Sequence, residues 1–274
     1  MQTTANLWEV LCRDLESERQ TAKADQYQEI ARRFLDTARH VLRPDSPRLC
    51  DAIEIAGDVG QAAGHFKEAA VNFKDALDKS QQFGPVPSTA RLAAKLALLL
   101  DRLEEKGEAK RYYELSLSLY DEMHDHSQHA MLLNQLGSIC KGDGDMAAAE
   151  KVYLRAMETA GSLHGDNHPE TANAANNLGV AYIETRDFIK AENLHMQALA
   201  IREKCYGAMH PEVAQSMANL AVVYHAMGNY QKARAFYTGA LKTYRCFRPA
   251  DDHDVRNIQA NFDALLVAVE KAGS

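Results

Sequence analysis

A repeat constrains this chain more than any other feature. The segments Asn134-Gln-Leu-Gly-Ser-Ile-Cys140, Asn176-Asn-Leu-Gly-Val-Ala-Tyr182 and Ala218-Asn-Leu-Ala-Val-Val-Tyr224 follow one another at intervals of 42 residues. The match runs on through Asp145-Met146, Asp187-Phe188 and Asn229-Tyr230. Two earlier copies step back by 40 residues, one through Leu96, Ala97, Ala109, Tyr113, Ser116 and Leu117, the other through Ala56, Gly57, Phe66, Ala69, Phe73 and Leu77. A degenerate first copy ends at Ala31 and Ala38. Periods of this size mean a stack of like units, each burying its apolar face against the next.

Within a copy the apolar residues recur at three- and four-residue spacing, as in Phe188, Ala191, Leu194 and Ala198, which predicts two amphipathic helices. Gly64, Gly144 and Gly228 mark the turn between them. Three columns hold only small residues. They are Gly57, Ala97, Gly137, Gly179 and Ala221; then Ala69, Ala109, Ala149, Ala191 and Ala233; then Ala76, Ser116, Ala156, Ala198 and Ala240. Small side chains at fixed register let helices approach closely. All seven prolines fall between copies. His168-Pro169-Glu170 and His210-Pro211-Glu212 have the form of helix starts, with proline in the first turn and an acid beside the N-terminal dipole.

The L-G-x-x-Y, G-x-Y-x-x-A and A-L series resembles the tetratricopeptide repeat. With the 42-residue spacing, A-x-x-I-R-E-K-C-Y-G and H-P-E-V-A, it is similar to the kinesin-light-chain type. The resemblance implies an all-α, right-handed superhelical solenoid of tandem helical hairpins whose concave face binds extended peptides. A single solenoid over 1–274 is expected: a degenerate hairpin or N-terminal cap in 1–45, five repeats in 46–250 and a capping helix in 251–274. In the cap, Phe262 and Leu266 stand where Leu220 and Tyr224 stood, and Asp263, Glu270 and Lys271 form the outer face. Leu7, Trp8, Leu11 and Leu15 lie at helical spacing and would cover the other end.

In that family, ligands touch first-helix positions two, five, six and nine. Carried onto this chain, those positions give a ladder of carboxamides: Asn134 and Gln135; Asn173, Asn176 and Asn177; Gln215 and Asn219; Asn257 and Asn261 in the cap. A carboxamide both donates and accepts, which suits a grip on a peptide backbone. Charge divides the remaining positions. Asp51, Glu54 and Asp58 form an acidic stripe, while Arg91 and Lys95 are cationic. An acidic ligand end would sit between Lys95 and Lys141, and a basic one near Asp51 and Glu54.

The chemistry of catalysis is missing. No G-x-S-x-G, G-x-x-x-x-G-K, H-E-x-x-H or G-x-G-x-x-G is present, so neither an enzyme nor a cofactor is expected. Asp143 and Asp145 lack the later ligands of a calcium loop, and Cys140 is expected to be buried packing in the column of Tyr182 and Tyr224. His124, His126 and His129, beside Asp121 and Glu122, are candidate metal ligands weighed against an ordinary loop. A net charge of −7 argues against a general nucleic-acid binder. The longest apolar run, Leu92 to Leu100, contains Lys95 and is far too short to span a membrane. Five cysteines without a C-x-x-C pair point to a reducing, cytoplasmic setting. The expected function is a non-catalytic scaffold or adaptor that holds a segment of a partner protein. The alternative is a regulator whose superhelix pitch changes when a peptide binds. Nothing in the sequence fixes the oligomeric state.

Overall fold

The computed structural model describes residues 24–249 and 251–273, together with Glu9, Cys12 and Arg13. The proposed helix through Leu7, Trp8, Leu11 and Leu15 lies outside the described residues. Among the described residues there are twelve long helices and no strand. None of them is long and apolar enough to cross a membrane. The chain divides into two compact units, Met1–Asp125 and His126–Ser274.

The first unit contains α1 (Ala24–Val41), α2 (Pro47–Ala62), α3 (Phe66–Phe83), α4 (Val86–Arg102) and α5 (Lys106–Glu122). Helices α2/α3 and α4/α5 form hairpins, with α1 packed on α2 and α3 packed on α4. The second unit contains α6 (His129–Gly142), α7 (Met146–His164), α8 (Pro169–Glu184), α9 (Phe188–Tyr206), α10 (Pro211–Ala226), α11 (Tyr230–Phe247) and α12 (His253–Gly273). Here α6/α7, α8/α9 and α10/α11 are hairpins, α12 packs on α11, and the first helices α6, α8, α10 and α12 touch in series. This is the all-α helical repeat that the periodicity predicts.

The small-residue columns are the seams. Every member of the second and third columns is fully buried. The glycines of the first column lie against one ring of the partner helix. A Cβ on Gly57, Gly137 or Gly179 would come within 2.7, 2.6 or 2.8 Å of Phe73, Tyr153 or His195. Ser116, the one polar member, gives its hydroxyl to the carbonyl of Ala90 at 2.8 Å, so its burial leaves no donor unsatisfied.

The turns follow one design with two exceptions. Gly64, Gly144 and Gly228 adopt φ of 84°, 81° and 75°, in the left-handed region. Glu104 and Arg186 occupy the same turn position at φ 62°, where a Cβ is strained by about 1–2 kcal/mol. Arg186→Gly should therefore raise stability by about 0.5–1 kcal/mol, as a shift in the urea midpoint would show; no gain would mean that the turn already relieves the strain.

The second helices of the later hairpins start on Asp145, Asp187 and Asn229, whose side chains accept the N–H of Ala148, Lys190 and Lys232 at 3.0, 3.3 and 3.2 Å. Asp145 is thus a helix cap. Pro47, Pro169 and Pro211 each open a helix. Cys140 is buried, as its column demands. In the cap helix α12, Val255, Ile258 and Leu265 are buried, while Leu266, Val267 and Val269 are exposed beside Asp263, Glu270 and Lys271. The outer face is therefore more apolar than expected; Leu266 is exposed where Tyr224, one period earlier, is buried. Asp263 stands in the column otherwise held by Gly and Ala, where the earlier hairpins admit no large side chain.

Candidate peptide-binding cleft

In the second unit an open cleft of about 380 Å³ lies over the first helices. Its lining includes Asn134 and Gln135 of α6, Asn173, Asn176 and Asn177 of α8, and Gln215 of α10. Six of the nine predicted carboxamides thus converge on one surface. Asn219 joins them through a hydrogen bond to Asn176, while Asn257 is engaged by His253 on its own helix, at 3.2 Å. Asn261, also on α12, is exposed and does not line the cleft.

The ladder is bonded to itself. Asn177 Nδ2 donates to Asn134 Oδ1 at 3.3 Å, and Asn219 Nδ2 donates to Asn176 Oδ1 at 2.8 Å. Both bonds link consecutive first helices. Each pair still holds an Oδ1 on one amide and an NH2 on the other, the two groups that complement a peptide unit.

Sequence reasoning missed the residue beneath this surface. Arg202 of α9 is 2% exposed, yet it belongs to the cleft lining. Its Nη1 donates to Glu212 O at 3.0 Å, to Gln215 Oε1 at 3.1 Å and to Ser216 Oγ at 2.9 Å. Its Nη2 donates to Asn173 Oδ1 at 2.9 Å and pairs with Glu212 Oε2 at 3.0 Å. Burial pushes the guanidinium pKa down, and the charge of Glu212 opposes that shift. The equivalent positions in other hairpins are Ser80, Tyr120, Ala160 and Tyr244, all buried. An arginine in that column was the available signal.

The histidines at the helix starts also went unread. His168 Nδ1 accepts the N–H of Glu170 at 3.3 Å, and His210 Nδ1 accepts that of Glu212 at 3.2 Å. His164 stacks on His168 at 4.4 Å and reaches Glu170 at 3.2 Å, so His164, His168 and Glu170 cluster as a potential ligand set. The cap competes with a metal there: an Nδ1 that accepts a backbone N–H leaves Nε2 carrying the proton. Of the histidines singled out in the sequence, His126 and His129 approach to 3.4 Å within the second unit. His124 belongs to the first unit, at φ 54°.

The charged positions behave differently from the ladder. In the first unit, Arg91 meets Glu54 at 2.9 Å, and Lys95 meets Glu54 at 2.8 Å and Asp58 at 2.7 Å. Glu54 and Asp58 of the acidic stripe and the two cations, expected to divide a ligand's ends, instead pair with one another across α2 and α4. Lys141, in the second unit, pairs with Glu184 at 2.9 Å. A charged ligand would have to displace these pairs, which costs part of what it gains.

Comparison with known proteins agrees with this architecture. The family model described as tetratricopeptide repeat matches residues 128–204 and 182–245. The chain is similar to the crystal structure of BtubC (BKLC) from P. vanneervenii, at 30% identity and a TM-score of 0.67, covering 89% of this chain and 95% of that one. It also resembles the apo form of RapI, at 17% identity and a TM-score of 0.68 over 78% and 74% of the two chains. A third likeness is to the signal transduction ATPase PH0952 from Pyrococcus horikoshii, which has a tetratricopeptide repeat sensor. The identity there is 16% and the TM-score 0.65, over 97% of this chain and 38% of that one. The last two likenesses speak for the fold alone. No curated protein matches the sequence.

Proposed function

The chain belongs to the tetratricopeptide-repeat family, and on that basis we propose that it is a non-catalytic, cytoplasmic protein-interaction scaffold that holds an extended segment of a partner in the cleft of its second unit. The 42-residue period and the likeness to BtubC (BKLC) support a kinesin-light-chain-like subtype. The observation that carries the reading is the pair of cross-helix amide bonds, Asn177 to Asn134 and Asn219 to Asn176. They tie four carboxamides together in pairs across consecutive first helices, so a bound strand meets a surface already ordered, and preorganisation of this kind lowers the cost of binding.

The test is a displayed library of short unstructured peptides selected on the whole chain, with a selected peptide then titrated by fluorescence anisotropy. Asn177→Ala with Asn219→Ala should weaken binding by about five- to a hundredfold, since each lost neutral hydrogen bond is worth about 0.5–1.5 kcal/mol. The same change removes both inter-helix bonds, so it should also lower stability by a similar amount per pair. A wild-type chain that selects no peptide, or a double variant that binds as the wild type does, would remove the cleft from consideration.

A further inference from the structure

Arg202 does more than tie α8 to α10. An arginine side chain carries donors only, so whatever faces it must be an acceptor. The amides of Asn173 and Gln215 therefore have one permitted orientation each, with Oδ1 and Oε1 on the buried guanidinium, 2.9 and 3.1 Å away. Both side chains are exposed and line the cleft. With the oxygens turned inward, the NH2 groups are left for a ligand. The same cleft also contains Glu170 and Glu212. Glu212 is balanced by Arg202. The partner of Glu170 is His164, a cation only when protonated. A carboxylate arriving here meets donors but also like charge, whereas an uncharged carbonyl meets the donors alone.

We propose that Arg202 is a positioning residue that makes this stretch of the cleft a patch of hydrogen-bond donors selecting main-chain carbonyls of an extended, non-acidic segment. The inference rests on the cleft reading above and adds its polarity: which atoms of the segment are gripped, and which charge is refused.

The decisive variant is Asn173→Asp with Gln215→Glu. Each new side chain keeps an oxygen for Arg202 and puts a second oxygen where the NH2 was. The fold should be retained, since Arg202 would meet carboxylates in place of amides. The probe is the peptide selected on the wild-type chain, with Asn177→Ala/Asn219→Ala titrated alongside. The dissociation constant for Asn173→Asp/Gln215→Glu should rise about tenfold or more, as donors become acceptors facing carbonyl oxygens. A Lys scan of the peptide should restore affinity to this variant and not to the wild type. Arg202→Met takes every one of these donors away while keeping a long unbranched side chain. It should free the amides to turn over and shrink the wild-type preference for a Gln-bearing peptide over its Glu-bearing counterpart. If the Asp/Glu double variant does not fold, the exposed single change Asn173→Asp carries the same test. Unchanged binding in Asn173→Asp/Gln215→Glu, with binding weakened in Asn177→Ala/Asn219→Ala, would overturn this inference and leave the cleft standing. No selected peptide on the wild-type chain would overturn both.

Discussion

Acidification from pH 7 to pH 4 is expected to remove about 3 kcal/mol of folding free energy from the second unit through one residue, His195. The side chain is fully buried, and neither ring nitrogen has a hydrogen-bond partner. Burial, and then the charge of Arg202 two turns along the same helix, push its pKa from 6.5 down to about 4. Below pH 6.5 the unfolded chain takes up a proton that the folded chain refuses. The contribution is therefore complete above about 6.5, falls with pH, and is exhausted below about 4. Carboxylates titrate in the same range, so the informative comparison is with His195→Tyr. Tyr153 and Tyr237 occupy the equivalent position in neighbouring hairpins, and Gly137 stands against Tyr153 as Gly179 stands against His195. A tyrosine should therefore fit. Urea unfolding at pH 7, 5.5 and 4.5 should show the wild type losing ground to the variant as the pH falls. Parallel losses in the two proteins would mean that the imidazole is protonated in place, or that acid acts elsewhere.

His195 also shows what the sequence did and did not reveal. The period made the columns visible, and the columns made the hairpins visible, because close packing at a seam restricts side-chain volume residue by residue. A histidine in the column of Phe73, Tyr113, Tyr153 and Tyr237 and an arginine in the column of Ser80, Tyr120, Ala160 and Tyr244 were the visible departures. Both turned out to be buried. Periodicity places a residue on a face but not in a rotamer. The spacing puts Asp51, Glu54 and Asp58 on one face of α2 and Arg91 and Lys95 on one face of α4. That the long side chains reach across and pair is set by the helix spacing, which pattern alone does not give. The carboxamides were legible as a common surface for the same reason, while their mutual bonds were not. The helix starts at His168 and His210 were read from proline and glutamate. The histidine's own part, as the cap, depends on a ring nitrogen meeting a backbone N–H two residues on.

Removing the ring of Tyr153 is expected to be among the costliest single changes in the chain, and the glycine facing it should decide how much of that cost can be recovered. Tyr153 is 1% exposed, and its phenol is pushed up to about 12 by burial, so the ring sits in a closed seam between α6 and α7. Tyr153→Ala leaves a cavity, for which about 3–5 kcal/mol is the usual loss with an aromatic. Gly137→Val is expected to cost about 1–3 kcal/mol in the wild-type chain, because the first added carbon would already lie 2.6 Å from the ring. Ala97 and Ala221 show that this column tolerates a single methyl, which is why valine is the informative substitution. In the Tyr153→Ala background the sign should reverse: the valine methyls enter the vacated space, and the helix sheds a glycine from its interior. The double variant should then be more stable than Tyr153→Ala alone, with a coupling of about 1–3 kcal/mol between sites that touch. Chemical denaturation of the four proteins measures the cycle. Additive costs would mean that α6 and α7 do not meet through this glycine and this ring, and that the small column reflects helix propensity, not contact.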